Sequence, residues 1–487
     1  MLGFWLLSCA VAGLLWFLAT PLRTGLWSIP GPWWRRYTDI FQALDAYNGR
    51  TCQVIKRMQE EYGPVVAVGP RTVIFSDPAM IDKVYATRNP FPKSHHWMPL
   101  RTELKGVHYP SLIASEETQT HASLKRPIAG VYAMSNVVKS EAFIDENIFL
   151  LVRKLNQEYN GKGKSLPVFS WMHYFAYDTI MKLTVSNDFG LIKGEADREG
   201  MFKGVDAAQT YRAMASCMPW VHALLKGSPV TKVFERRMGS FPKRARELIQ
   251  ARRANGAKKI NDGREDLLSQ ILETRKKHPE IVDERVVHGY VTTPLLAGAD
   301  TVTIGLTSVV YFVGKHPEVA MRLHKELESS GLPMPPPWAA VQKLPYLDAV
   351  IREAFRSVAV SGYTTHFNTD IYGDDVNEFR PERWLQSPTE NGDDYAERMR
   401  QMNKADLTWG HGDRACMGKN IARCEMYKLM ATLYSVFDIR LVDPTNEWRI
   451  KETVLAKQEG VEAMISLRSD AAMQRLVENT KDAQVVA

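Results

Sequence analysis

Cysteine is scarce in this 487-residue chain, and the five present (Cys9, Cys52, Cys217, Cys416, Cys424) are odd in number and lack metal-type spacing. That excludes a disulfide framework and a zinc site, and fits a reducing, cytosol-facing environment. Net charge is also small, +7 from 62 basic and 55 acidic residues. It suits a docking face for an acidic partner or anionic lipid, not dedicated nucleic-acid binding. No internal repeat, low-complexity tract, or flavin or nicotinamide motif is found. From Met1 to Leu22 no side chain is charged. With 45% hydrophobic and 24% charged residues, the chain as a whole has the composition of an ordinary globular protein with a large core.

The uncharged start is long enough for the roughly 20 residues that span a bilayer. It has no basic n-region of the kind a cleaved signal carries. Residues 1–22 are therefore expected to be a transmembrane anchor, with Arg23, Arg35 and Arg36 keeping the body cytosolic. Ser28-Ile29-Pro30-Gly31-Pro32-Trp33 cannot continue a helix, so residues 23–36 read as a stiff hinge. Residues 37–487 read as one mainly helical domain with small β-sheets. A helix is expected over Gln42 to Tyr62, then a hairpin from Val65–Val68 to Thr72–Phe75, then a helix capped by Asp77-Pro78. The stretch 89–118, interrupted by prolines, reads as irregular and is long enough to be a lid. Residues 140–260 read as helices, with a basic run from Lys232 to Lys259 most simply explained as a solvated face, and a short linker near 255–264.

Chemistry concentrates in Trp409-Gly410-His411-Gly412-Asp413-Arg414-Ala415-Cys416-Met417-Gly418. Three glycines let backbone approach a flat ligand closely. A helical pattern from Lys419 to Phe437 then places Cys416 at a helix N-terminus, where a thiolate is favoured. A second feature lies in the apolar helical pattern Glu284 to Lys315, which carries Ala297-Gly298-Ala299-Asp300-Thr301. An acid and an alcohol in an apolar helix are costly unless partnered or working. The bland alternative is Thr301 bonding back to a carbonyl one turn earlier. Pro294 predicts a kink. Spacing of three places Glu353 and Arg356 on one helix face, and Phe379-Arg380-Pro381-Glu382-Arg383-Trp384 follows. His121 lies four or five residues from Lys125 and Arg126; a solvated helix end is the competing account.

In this order the motifs resemble those of the cytochrome P450 family: F-x-x-G-x-R-x-C-x-G, with Trp409 for the usual Phe, A-G-x-D/E-T, E-x-x-R and P-E-R-F. The style of Ile29-Pro30-Gly31-Pro32, His121-Ala122 and Tyr372-Gly373-Asp374-Asp375 is most similar to filamentous-fungal members of the pisatin demethylase type. The resemblance implies a haem-thiolate monooxygenase of P450-like fold holding haem b, with Cys416 as iron ligand. A thiolate ligand pushes electron density onto iron and favours O–O cleavage. Trp409, Gly412 and Gly418 would shape the loop, and Arg414, His121 and either Lys125 or Arg126 would meet haem propionates. Thr301 would hydrogen-bond dioxygen while Asp300 relays protons, and Glu353, Arg356 and Arg383 would form a buried ion network. Electrons would come from NADPH through a separate flavoprotein reductase, the substrate would be lipophilic, and the site of residence the endoplasmic reticulum membrane.

One departure matters. Only 24 residues separate Arg356 from Pro381, and Val358 to Val360 is the only convincing strand there, where the family has several. The hairpin at 65–75 is then expected to lack sheet partners. This shortening supports a second reading, a non-catalytic short isoform or remnant. A third, a haem-thiolate isomerase or dehydratase, is opposed by the intact Asp300-Thr301 pair.

Overall fold

The computed structural model describes residues 11–86, 90–104, 107–194, 200–225, 228, 240–254, 264–358 and 365–469. Outside these fall the first ten residues of the expected anchor, both ends of the basic run Lys232 to Lys259, nearly all of the linker near 255–264, and the expected strand past Val358. The helices in chain order are α1 (Ile40–Tyr47), α2 (Thr51–Tyr62), α3 (Thr118–Ile128), α4 (Glu141–Tyr159), α5 (Val168–Val185), α6 (Met201–Cys217), α7 (Pro219–Leu225), α8 (Ser240–Ala254), α9 (Leu267–Lys277), α10 (Glu284–Lys315), α11 (Pro317–Ser330), α12 (Pro345–Arg356), α13 (Gly392–Ala405) and α14 (Lys419–Val436). Shorter turns join them. Strands are few: β1 (Val65–Ala67) with β2 (Val73–Phe75), β3 (Thr102–Leu104) with β4 (Val107–Tyr109), β5 (Leu166–Pro167), β6 (Phe437–Leu441) and β9 (Glu462–Leu467) in one sheet of order β5-β9-β6, and β7 (Arg449–Glu452) with β8 (Ala456–Glu459). All pairings are antiparallel. The mainly helical expectation holds.

The core is built around α10, which packs most extensively on α5 and also meets α12, α14 and β6. Gly298 explains the close α10–α5 approach, because a Cβ there would sit 3.0 Å from Ile180 of α5. Its small size therefore serves helix packing, not room for a ligand. Two turns further along the same face Gly305 meets the Phe355 ring of α12, where a Cβ would lie 2.2 Å away. Pro294 does not interrupt α10. The Thr292 and Thr293 hydroxyls bond back to the His288 and Gly289 carbonyls beside it.

Three expectations change. The helix over Gln42 to Tyr62 is two helices, because Asn48-Gly49-Arg50 turns the chain and Gly49 takes φ +64°. The helix after Asp77 begins at Ala79 with Pro78 as its cap residue, although the Asp77 carboxylate still accepts the Ala79 N–H at 2.8 Å. The 89–118 stretch is not irregular throughout, since it holds a 3-10 turn at His95–Leu100 and the β3–β4 hairpin.

Residues 11–18 form an exposed apolar helix, with Leu14, Leu15, Trp16 and Leu18 at the surface. That described stretch is too short to cross a bilayer. Among the described residues the one helix long and apolar enough is α10, and it is mostly buried as the core helix.

Behind the site, Glu353 is fully buried and accepts from Arg356 Nη2 at 2.8 Å and Nε at 3.1 Å, Arg383 Nε at 3.0 Å, Trp384 Nε1 at 2.8 Å and the Arg380 N–H at 3.2 Å. Glu353→Gln keeps the shape and removes the charge, leaving two buried guanidinium groups under-compensated. It is expected to cost roughly 3–5 kcal/mol. A change below about 1 kcal/mol in urea unfolding would contradict that weight.

Candidate functional site

The Cys416 loop is held from three directions. Within it, the Cys416 N–H donates to the Trp409 carbonyl at 2.7 Å, and Gly410 and Gly412 take φ +68° and +59°. Both angles strain any residue with a Cβ, and at Gly412 one would also lie 2.9 Å from the Tyr85 carbonyl. From behind, Phe355 of α12 packs on Trp409 with ring centroids 5.7 Å apart, and His366 accepts the Leu407 N–H at 2.9 Å. Ahead of it, α14 starts at Lys419 with Gly418 as cap residue, so Cys416 lies just before a helix N-terminus as expected.

Cys416 is exposed at its own surface although protein surrounds it. Burial dominates and raises the thiol pKa, although the Gly418 and Lys419 N–H groups and the Lys419 charge pull against it. Such donors stabilise a thiolate.

Beside the loop lie Arg414, His121, Lys125 and Lys93. Arg414 donates to the Ser115 and Glu116 carbonyls at 2.8 and 3.1 Å. Lys125 reaches the Asp413 carbonyl at 2.6 Å, whereas Arg126 points outward and is exposed. Lys125 is therefore the basic residue of that pair that meets the loop. His121 is buried, and its ring pKa falls to about 4 through burial and the charges of Arg414, Lys125 and Lys93. Lys93, which no motif signals, falls to about 8 through burial and Arg414. Sequence reasoning passed over it because its neighbours are near only in the fold.

Asp300 and Thr301, adjacent on α10, meet different surroundings. Thr301 is exposed and donates to the Ala297 carbonyl at 2.8 Å, the one-turn back-bond weighed above. Asp300 is fully buried. It meets His173 Nε2 at 2.6 Å, the Tyr177 hydroxyl at 3.4 Å, Gln209 Nε2, and Lys457 Nζ at 3.1 Å. Burial pushes its pKa up, but the His173 hydrogen bond and the Lys457 charge outweigh this and hold it well below the carboxylate range. Lys457 also pairs with Asp206 at 2.7 Å, whose side chain is partly exposed. His173, Gln209 and Lys457 carry no local signal, since they come from α5, α6 and β8.

The donor set fits a flat, anionic metal cofactor. A lone thiol faces helix N–H groups, glycines open the backbone beside it, and Lys93, Lys125 and Arg414 collect with His121 at one edge. Among the described residues no cluster of His, Cys, Asp and Glu could hold a bare metal ion. The large cleft of about 870 Å3 between Tyr311, Phe312, His316, Phe379 and Trp448 lies elsewhere, ten residues past Thr301 along α10. That is about 15 Å at helical rise.

Comparison with known proteins agrees with the geometry. The family model for cytochrome P450 matches residues 30–362 and 357–464 in two pieces that meet within residues 357–362. The cytochrome P450 monooxygenase vrtE of Penicillium aethiopicum is 26% identical over 501 residues, covering 94% of this chain and 93% of its own. For cfoH of Aspergillus candidus the identity is 28% over 493 residues, with 94% and 91% covered. For mpaDE of Penicillium roqueforti it is 30% over 488 residues, with 92% and 56% covered. Each alignment is longer than this 487-residue chain while covering less than all of it. All three relatives therefore carry residues within the aligned range that have no counterpart here.

Replacing Lys457 by Met leaves the Asp300 carboxylate buried without its strongest cation, at an expected cost of roughly 3–5 kcal/mol at pH 7.5. In the parent chain Asp300 has a depressed pKa, so its contribution is present above the unfolded value and lost only in strong acid. In the variant the Asp300 pKa is expected to rise, so the stability gap should narrow as pH falls from 7.5 toward 5. A gap in urea unfolding that stays constant across that range would show that Lys457 does not set the Asp300 charge.

Proposed function

Because the chain belongs to the cytochrome P450 family, whose members use haem b iron and electrons from a redox partner, we propose that it is a haem-thiolate monooxygenase acting on a lipophilic substrate. Filamentous-fungal secondary metabolism or detoxification is the setting that the relatives' organisms support. When bound, haem supplies the iron at which dioxygen is activated and one oxygen atom is inserted into a C–H bond.

The protein's own part divides among the residues above. Cys416 ligates the iron, its thiolate favoured by the Gly418 and Lys419 N–H groups. Trp409 backs the loop and limits water at the sulfur. Arg414, His121 and Lys125 hold the propionates. Thr301, exposed on α10, offers a hydroxyl to the oxygen side. Asp206, Lys457 and Asp300 form a line of ionisable groups from a partly exposed carboxylate to a fully buried one, which supports proton delivery by Asp300. Electrons come from NADPH through a separate flavoprotein reductase.

Residues 1–22 anchor the protein in the endoplasmic reticulum membrane as a single span, with residues 23–36 as hinge and 37–487 facing the cytosol. The exposed apolar helix at 11–18 supports this arrangement. The second reading, a non-catalytic short form, is favoured by the joint at 357–362 and the extra residues of the relatives. Against it stands the Cys416 loop, which keeps its hydrogen bonds and glycine angles. That loop geometry is the observation that carries the proposal.

The deciding experiment is the carbon monoxide difference spectrum of the reduced full chain in microsomes. A thiolate-type Soret band is expected, and a non-thiolate band or no haem would replace the enzyme by the short-form reading. Cys416→Ala should abolish the band; its survival would remove Cys416 as ligand. Thr301→Ala should keep the band but divert electrons to peroxide, and an unchanged product yield per NADPH would sink its assigned role.

A further inference from the structure

The cleft of about 870 Å3 at the far end of α10 takes no part in the site described above. Its size lies within the range of about 300–1,000 Å3 common to small-molecule sites. Its floor is aromatic. Tyr311 stacks on Trp448 with ring centroids 3.8 Å apart, Phe312 stacks on Phe379 at 4.7 Å, and Phe312 meets Trp448 edge-on at 5.1 Å. Four rings, from α10, the 377–382 segment and the residue before β7, thus form one surface. Tyr311 and Phe379 are buried beneath it, whereas Phe312 and Trp448 are only half-buried.

The rim of the cleft is charged, and its lysine and arginines are already matched. Lys315 pairs with Glu447, which also accepts the Tyr311 hydroxyl at 2.6 Å. Arg322 pairs with Glu382 at 2.9 Å, and Glu382 accepts the Tyr346 hydroxyl at 2.9 Å. Arg380 pairs with Asp375 at 2.6 Å. Glu318 and Glu378 line the same cleft, are exposed, and form no ion pair among the described residues. The dipole of α11 accommodates the charge of Glu318 in its first turn, but Glu378 has no such support. Two carboxylates are therefore left over beside an aromatic floor.

We infer that this cleft binds an organic cation, an amine carried on a flat apolar body, with the body on the Phe312 and Trp448 rings and the charge toward Glu318 and Glu378. Aromatic faces attract cations as well as apolar surface. The unmatched carboxylates repel an anion of the same shape, which gives the cleft a means of selection. Ten residues of α10, about 15 Å at helical rise, separate it from Thr301. Such a ligand is therefore distinct from a substrate at the Cys416 loop, and the inference does not depend on the haem reading.

The test is equilibrium dialysis of the full chain against N-methylquinolinium, a flat cation whose nitrogen has no lone pair to offer a metal, and against naphthalene-2-sulfonate, an anion of similar shape. Saturable binding of the cation with a Kd below ~1 mM is expected, and the sulfonate should bind on the order of tenfold more weakly. The double variant Glu318→Gln, Glu378→Gln alters two exposed side chains without touching the core, and is expected to weaken the cation on the order of tenfold. Trp448→Leu should weaken it by a similar factor, while Glu60→Gln, at an exposed acid of α2, stays at the parent value. A sulfonate that binds as well as the cation overturns the inference, because the cleft then selects no charge. Cation binding that the double variant leaves unchanged also overturns it, since the probe then sits elsewhere, and so does an absence of saturable binding.

Discussion

The Glu353 carboxylate is the interaction on which the rest of the site depends. Five donors from four residues converge on it in a place with no solvent. An unpaired charge there would be prohibitive. With its donors in place it fixes the end of α12 against the 380–384 turn, and α12 presents Phe355 to both Gly305 of α10 and Trp409 of the cysteine loop. The two walls of the site, α10 and the loop, thus take their spacing from one aromatic ring on a helix held by one carboxylate. Arg383 extends the grip to Asp375 at 3.0 Å, so the segment after the shortened joint is bound by the same charge.

The joint itself is closed by a reciprocal pair. Arg356 Nη1 donates to the His366 carbonyl at 2.9 Å, and His366 Nδ1 donates back to the Arg356 carbonyl at 3.2 Å. His366 is fully buried, and its Nε2 accepts the Leu407 N–H, which fixes the ring as the neutral Nδ1–H form. Burial lowers its pKa, consistent with that tautomer. The residues on either side of 359–364 are therefore brought together by the member of the Glu353 network that also sits next to the lost segment. This explains how the cysteine loop can keep its geometry although the chain is shorter than its relatives. Among the described residues β1–β2 is a two-stranded sheet, and on its β1 edge the Pro30 carbonyl accepts the Ala67 N–H at 2.7 Å.

What was legible in the sequence is what is carried by local spacing. The positions of Cys416 before α14, of Asp300-Thr301 within α10, and of Glu353 one turn from Arg356 follow from residue order alone, and the structure places them so. The glycines were legible only as permission. At Gly410 and Gly412 the freedom is used for positive φ, whereas at Gly298 and Gly305 it admits a neighbouring side chain, and a sequence cannot separate these uses. Hidden were the contacts made across the fold. Lys93 and Arg414 are 321 residues apart, and the partners of Asp300 come from α5, α6 and β8. The turn at Asn48-Gly49 carries an ordinary signal, but the apolar periodicity on both sides masked it.

Asp300 and Thr301 show why a motif read as one unit can hold two separate jobs. Successive residues on an α-helix point about 100° apart, so both side chains cannot face one space. Thr301 takes the open side. Asp300 takes the protein side, where its charge is kept by donors on three other elements. A buried network of this kind stabilises only while every member is satisfied. It follows that α6, which contributes Gln209 and the Asp206 end of the Lys457 bridge, cannot shift relative to α10 without changing what Asp300 is bonded to. The charge state of the acid and the position of α6 are thereby one variable, set by a lysine that the sequence places 157 residues beyond Asp300.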